Sequence, residues 1–521
     1  MLNLAKTSRD RVYGFLRTDG TRVVNERGEE VLLTGMGLGN WLLWEGYMWR
    51  FYGRYDRPRT IETLLCEVAG EEYTADFIRR FRETYITKED VRLMAEEGFN
   101  SVRVPIGWRV LMDNAPGYPL REDGFALLDR FIDWCEEYKL YVVLDLHGAP
   151  GGQTGANIDD CFDDRPRLFT DPESYEAALK LWRALAQRYK DRWIVGAYDL
   201  LNEPLRPCTD SRYPRIPDYR HDLAQFYRDA ITEIRKIDTK HTIQVEGRNW
   251  ASKSDIFDSR WDDNLVIHFH RYWCRPDMQV YHEFLNKSKE LDVPLYLGET
   301  GENRSEWYAA MYPLALSLDI GWNIWPWKKM DCTNSPYSVK TPDGWAKLQR
   351  MFRGGERPSF AEAQASLESY LENMKVENCD YKPAVTASFY RRPGCSFYAV
   401  DFDERPGKGT SYYGEAVVDC AAYRTGSGMR LIAPADTKGE WGSLDLMLAK
   451  GEWAEYSVSA PKTDAELAIE GVGGEVCVTV GETELACGVL PMTVKIPAGE
   501  GEYALRITAK DTARMRKMVY R

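Results

Sequence analysis

Between about residues 30 and 330, short runs of β-branched and aromatic residues alternate with longer stretches whose apolar residues recur at three and four. The first pattern suits a strand buried on both faces and the second an amphipathic helix, and their alternation marks a parallel α/β fold. The strand-like runs are 31–39 (VLLTGMGLG), 100–108 (NSVRVPIGW), 140–148 (LYVVLDLHG), 195–204 (VGAYDLLNEP), 242–247 (TIQVEG), 265–273 (LVIHFHRYW), 293–302 (VPLYLGETGE) and 320–328 (IGWNIWPWK). Helical stretches such as KEDVRLMAEEGF, GFALLDRFIDWCEEYK and SYEAALKLWRALAQRYKD separate them. Eight such units match a closed (β/α)8 barrel better than an open doubly wound sheet. No G-x-G-x-x-G follows the first run ahead of a helix, which argues against a dinucleotide site.

A last helical stretch covers 358–375 (PSFAEAQASLESYLENMK), and no long helical period returns after it. The runs WAEYSVSA, AELAIEG, EVCVTVG, MTVKIPA and YALRITA then alternate apolar with polar residues between Gly, Pro and acidic turns, which predicts an antiparallel β-sandwich. The chain thus divides into a barrel domain, residues 1–379, and a sandwich domain, residues 380–521.

At 521 residues, 44% of them hydrophobic, the chain can bury a large core and a further domain. Its net charge of -13 suits neither nucleic acid nor an anionic membrane, because both reward a basic patch; a neutral ligand fits better. The opening MLNLAKTSRDRVYGF lacks the apolar run of a secretory signal, and no 18-residue apolar span follows, so the expectation is a cytoplasmic protein without membrane insertion. The oligomeric state is not readable. Eleven cysteines, scattered with no C-x-x-C, suggest neither a disulfide framework nor a zinc cluster and read as reduced core thiols. The 17 Trp and 31 Tyr supply flat rings of the kind that stack on sugar faces, although large cores use them too.

Barrel chemistry lies at the carboxyl ends of the strands. Polar residues gather there: Arg103 in the second run, His147 in the third, Asn202 and Glu203 in the fourth, His268, His270 and Tyr272 in the sixth, Glu299 in the seventh and Trp325 in the eighth. Glu203 and Glu299 would face each other across the mouth, and two opposed carboxyl groups are what glycosidic cleavage needs. Either alone could be a salt-bridged rim residue. His268 and His270 share a strand face and could instead ligate a metal, given a converging third ligand.

The motifs SVRVPIGW, LDLHGAPGGQTG, LLNEP, HFHRYW, LGETGE and NIWPWK, in this order, resemble glycoside hydrolase family five, most closely its exo-β-1,3-glucanase-like branch. GLGNWLLWEGYM is similar to that branch's opening motif, and the resemblance spans about residues 33 to 328. It implies Glu203 as acid/base and Glu299 as nucleophile of a retaining double displacement, with no metal or cofactor. It also implies that Asn202 bonds the sugar 2-hydroxyl, that Arg103 keeps Glu299 ionised, and that His270 and Tyr272 form the family's H-x-Y motif. His147 would line the reacting subsite, Trp325 would be the stacking platform, and Glu45 would bind outer hydroxyls of a terminal glucose. Ala156 and Asn157 depart from the branch, which has an aromatic residue and an Asp there. Glu302 is a lower-ranked alternative nucleophile.

The activity so implied is an exo-acting β-glucosidase or exo-β-glucanase on neutral β-linked oligosaccharides or glycoconjugates. An endo-acting β-glucanase or a glycolipid-cleaving relative is the alternative within the family, and a non-catalytic sugar-binding protein the alternative outside it. GEWAEYSVSAP resembles a strand of the carbohydrate-binding modules of families six and thirty-five. The C-terminal region therefore reads either as a sandwich packed on the barrel or as a sugar-binding module with Trp441 and Trp453 as candidate contacts.

Overall fold

The computed structural model describes residues 2–351, 354–405, 407, 409–416, 423–434 and 439–521. Eight parallel strands form a closed barrel: β1 (Thr34–Gly37), β2 (Ser101–Gly107), β3 (Tyr141–Gly148), β4 (Val195–Asp199), β5 (Thr242–Glu246), β6 (Leu265–Tyr272), β7 (Leu295–Gly301) and β8 (Gly321–Trp325). Each pairs with its neighbours in sequence, and β8 closes on β1 with Trp322 opposite Thr34. Every predicted run contains one of these strands. The runs are continuous rather than alternating because helices cover the outer face while the inner face packs on itself.

Helix Glu122–Tyr138 shows how the outer ring forms: Phe125, Leu128, Phe131, Ile132 and Cys135 are buried on one stripe, while its acidic first turn meets the positive end of the helix dipole. Helix Pro172–Tyr189 is capped by Asp171, which accepts from the backbone of Glu173 and Ser174. A hairpin of Arg17–Asp19 and Arg22–Val24 lies by the amino end of β6, where the Thr18 N–H donates to Asn264 Oδ1 at 2.9 Å.

Helix Ser305–Ser317, which follows β7, differs: it is buried continuously from Trp307 to Leu316. A helix apolar all round needs cover on its outer side, and the C-terminal region supplies it. Phe389 of helix Pro383–Phe389 packs on Tyr308 and Tyr312, the buried Arg391 donates to the Ala309 carbonyl at 2.7 Å, and Lys517 pairs with Glu306 at 2.8 Å.

Beyond that helix lie two antiparallel sheets. One runs Arg430–Ile432, Asp445–Leu448, Ala513–Tyr520, Ala465–Gly473, Met492–Ile496; the other runs Tyr412–Tyr413, Trp453–Ser459, Glu502–Ala509, Glu475–Val480, Thr483–Val489. All five predicted runs are strands, and the other five strands of the two sheets are additional, the longest being Thr483–Val489 and Ala513–Tyr520. The expectation of uniformly reduced cysteines is corrected: hairpin register sets Cys477 opposite Cys487, and the two form a disulfide. Cys420 lies outside the described residues. Trp441 and Trp453, the candidate sugar contacts, each carry an arginine on the ring: Arg304 at 4.9 Å and Arg506 at 3.8 Å. No helix among the described residues is long and apolar enough to cross a membrane.

Candidate active site

A cavity of about 880 Å³ opens at the carboxyl end of the barrel. Its floor is organised by Arg103 of β2, which is fully buried. Burial works against its charge, but Asp145, Asp199, Glu246 and Glu299 outweigh it and hold the guanidinium protonated. Its nitrogens donate to Asp199 Oδ2 (2.9 Å), Asn202 Oδ1 (2.8 Å), Glu246 Oε1 (3.0 Å) and Glu299 Oε2 (2.7 Å). A planar fork of five donors can tie the ends of β4, β5 and β7 together at once, and a lysine could not.

Glu299 of β7 is therefore held on both oxygens, by Arg103 at Oε2 and by the Tyr272 hydroxyl at Oε1 (2.8 Å). Burial opposes its ionisation, yet His270 and Arg103 prevail and hold its carboxyl below the usual range. Gly298 before it has no freedom to be another residue: a Cβ there would stand 1.9 Å from His268 Nε2. Glu203 lies four residues past the end of β4 rather than on it, in a left-handed conformation with φ of 43°. Its backbone N–H donates to Glu246 Oε2 (2.6 Å), and its Oε1 meets His270 Nδ1 (2.8 Å). One oxygen of Glu203, one of Glu299 and a ring nitrogen of His270 all lie within 4.8 Å of one another.

Asn202 and His147 fix each other's orientation. Arg103 can only donate, so Asn202 presents its oxygen there and turns its amide toward His147 Nε2 (3.2 Å), which must then be the acceptor. The His147 proton consequently sits on Nδ1, 2.7 Å from Asp145 Oδ2. Burial pushes His147 down to about 4, so the ring is neutral near pH 7. Trp325, the last residue of β8, stacks parallel to His147 at 5.4 Å and donates from Nε1 to the Tyr47 hydroxyl (2.7 Å). Gly39 admits the indole, since a Cβ at that position would lie 2.5 Å from the ring.

Glu45 also lines the cavity. Its carboxyl is nearly buried, and burial followed by the charges of Glu299 and Glu302 pushes it well above the usual carboxylate range. Glu302, the alternative nucleophile, sits one residue beyond β7 and pairs with Lys329 rather than Arg103. Ala156 is buried away from the cavity lining, whereas Asn157 lines the cavity and accepts from the Tyr213 hydroxyl (2.7 Å).

Sequence reasoning passed over Asp145, Asp199, Glu246 and Gln153. The three acids are fully buried around Arg103. Burial opposes ionisation of Asp199, but His268 and Arg103 bring it down to about 2; burial raises Glu246 against the pull of His270 and His268. An acid inside the apolar runs LYVVLDLHG and VGAYDLLNEP was the available signal, because such a group must find a partner. Gln153 of the HGAPGGQTG segment donates to the carbonyls of both His147 and Asn202 at 2.8 Å, bracing β3 against the turn after β4. Glu246, His268 and His270 cluster closely enough to be considered as metal ligands. The two imidazoles already face each other, Nε2 to Nε2 at 3.0 Å, and Arg103 is the cation against Glu246.

A family model described as cellulase (glycosyl hydrolase family 5) matches residues 67–331. Among curated relatives, a β-xylosidase from Phanerodontia chrysosporium is 31% identical over 50% of this chain, and the match spans about half (52%) of that protein's length. Endoglucanase C from Acetivibrio thermocellus is 27% identical over 49% of this chain and 88% of its own. A protein from Aspergillus clavatus described as "probable glucan 1,3-beta-glucosidase A" is 25% identical over 57% of this chain and 71% of its own.

Proposed function

The chain belongs to glycosyl hydrolase family 5, and from that premise we propose that it is a retaining, exo-acting β-glucosidase or exo-β-glucanase. What carries the reading is the approach of Glu203 and Glu299, an oxygen of each within 4.8 Å. Retaining glycosidases place their carboxyl groups about 5–5.5 Å apart, whereas inverting enzymes leave about 6.5–9.5 Å for a water.

Glu299 attacks the anomeric carbon while Glu203 gives its proton to the departing glycosidic oxygen, forming a glycosyl-enzyme ester. Glu203 then takes a proton from water, whose oxygen displaces Glu299 and restores both groups. Arg103 and Tyr272 keep the nucleophile charged and aimed. His270 occupies Glu203 Oε1, leaving Oε2 for the leaving group. Asn202, committed to Arg103 and His147, retains one amide hydrogen for a sugar hydroxyl. Trp325, stacked against His147, offers its indole at the cavity wall to the sugar ring.

Exo action is favoured by Glu45, whose carboxyl lines the cavity with no hydrogen-bond partner among the described residues. That group suits the outer hydroxyls of a terminal sugar. The endo reading rests on the cavity's size, since about 880 Å³ exceeds the space one ring fills.

The test is a screen of aryl β-glucosides with laminari-, cello- and gentio-oligosaccharides, following product anomers by NMR. We expect the β-anomer first and monosaccharide as the main product. The α-anomer released first would overturn retention, and longer oligosaccharides released first would overturn exo action. Glu299→Ala is expected to abolish turnover while still binding substrate; residual turnover near wild type would end the assignment.

A further inference from the structure

Ala156, in the loop after β3, is buried away from the cavity and offers it no ring. The leaving-group side of the cavity is nonetheless aromatic. After β5 the backbone holds three consecutive residues in the left-handed region: Asn249 (φ 58°), Trp250 (φ 58°) and Ala251 (φ 54°). Asparagine tolerates that region, but tryptophan and alanine do not adopt it unaided. The turn is fastened on several sides. The Asn249 N–H donates to the Leu205 carbonyl (2.7 Å), the Arg248 side chain reaches Asn249 Oδ1 (3.1 Å) and grips Asp255, and Ala251 is fully buried. The result is that Trp250, half-buried, lines the cavity with no ring contact or hydrogen bond to any described residue.

The location of this indole decides what it can touch. The bond from Asn249 to Leu205 ties its turn to the segment carrying Glu203, two residues earlier. Glu203 is the group that protonates the departing oxygen, so whatever lies beside it on that side belongs to the leaving group. Glu45, Tyr47 and Trp325 line the same cavity, and the Tyr47–Trp325 bond ties the loop after β1 to the end of β8. We propose that Trp250 is the stacking platform for the leaving group, a residue that determines specificity there. The chemistry it selects is a flat face with apolar C–H or π character, either a second sugar ring or an aryl aglycone. This rests on the glycosidase reading proposed above.

The test uses the full-length protein and three β-glucosyl donors: the fluoride, whose leaving group is too small to reach Trp250, laminaribiose and 4-nitrophenyl β-glucoside. For Trp250→Ala the ratio of kcat/KM on laminaribiose to kcat/KM on the fluoride is expected to fall roughly tenfold. Trp250→Phe, which keeps a ring, should recover most of it. A fall confined to laminaribiose names a sugar face, a fall confined to the nitrophenyl donor names an aryl face, and either supports the platform. An equal loss on all three donors, or no change in either ratio, overturns it. If the wild type turns over none of the three, the glycosidase reading falls instead. The platform is then judged by calorimetric titration with cellobiose, where it requires roughly tenfold weaker binding to Trp250→Ala.

Discussion

Replacing Tyr272 by Phe removes one hydroxyl and nothing else, and that hydroxyl donates to Glu299 Oε1 over 2.8 Å. Burial, followed by the charge of Glu299, pushes the Tyr272 phenol well above its ordinary range, so at any working pH it is a donor rather than an anion. A hydrogen bond to a charged group contributes about 1.5–3 kcal/mol. Water entering the open cavity can replace part of it, which favours the lower end. Since a shift of one pKa unit corresponds to about 1.36 kcal/mol, the Glu299 carboxyl should rise by about one unit.

The sign is unambiguous: the bond stabilises the carboxylate, so its loss favours the protonated, inactive form. The assay is the pH profile of kcat/KM, whose acidic limb reports the free enzyme's essential base. In Tyr272→Phe that limb should move about one unit toward neutrality, while Arg103 and His270 keep the group ionisable. A limb that stays at the wild-type position, or moves to more acidic pH, would refute the account of how Glu299 is held.

Glu246→Gln should cost about 1.5–3 kcal/mol in kcat/KM, because Glu246 anchors the Glu203 backbone and faces Arg103 and His270. Wild-type kinetics from a folded Glu246→Gln, as judged by circular dichroism, would contradict that role. His147 is held at about 4, against about 6.5 for an imidazole in the unfolded chain. Its depressed value contributes stability that is complete above about pH 6.5 and is lost as pH falls to about 4, roughly 3 kcal/mol in all. His147→Gln should therefore flatten the fall of Tm across that window, and an unchanged slope would argue against the neutral buried ring.

The barrel was legible because its eight strands are buried on both faces and so appear as mostly apolar runs rather than alternating ones. The opposition of Glu203 and Glu299 was legible because two carboxylates at the ends of such runs, on opposite sides of one mouth, are hard to explain as separate rim residues. What stayed hidden depends on geometry that no local pattern encodes. Glu246, closing TIQVEG, resembles any rim acid until the turn after β4 brings the Glu203 N–H onto it. Trp250 depends on three left-handed residues that no local propensity favours. Strand Ala513–Tyr520 was missed because its alternation shifts phase at Arg516 and Lys517, two polar residues in a row; Arg514 and Arg516 both reach Asp445. The cross-strand disulfide required a hairpin register that spacing alone does not give.

Helix Ser305–Ser317 begins four residues after the strand that carries Glu299, and its outer surface is covered by Phe389, Arg391 and Lys517. The C-terminal region is thus a rear buttress for the strand–helix unit that carries Glu299 rather than a detachable appendage. Shearing it away at residue 379 would bare Tyr308 and Tyr312 to water at the back of that unit. Any evolutionary or engineered exchange of the C-terminal region would have to reproduce this apolar cover before it could add a new binding property.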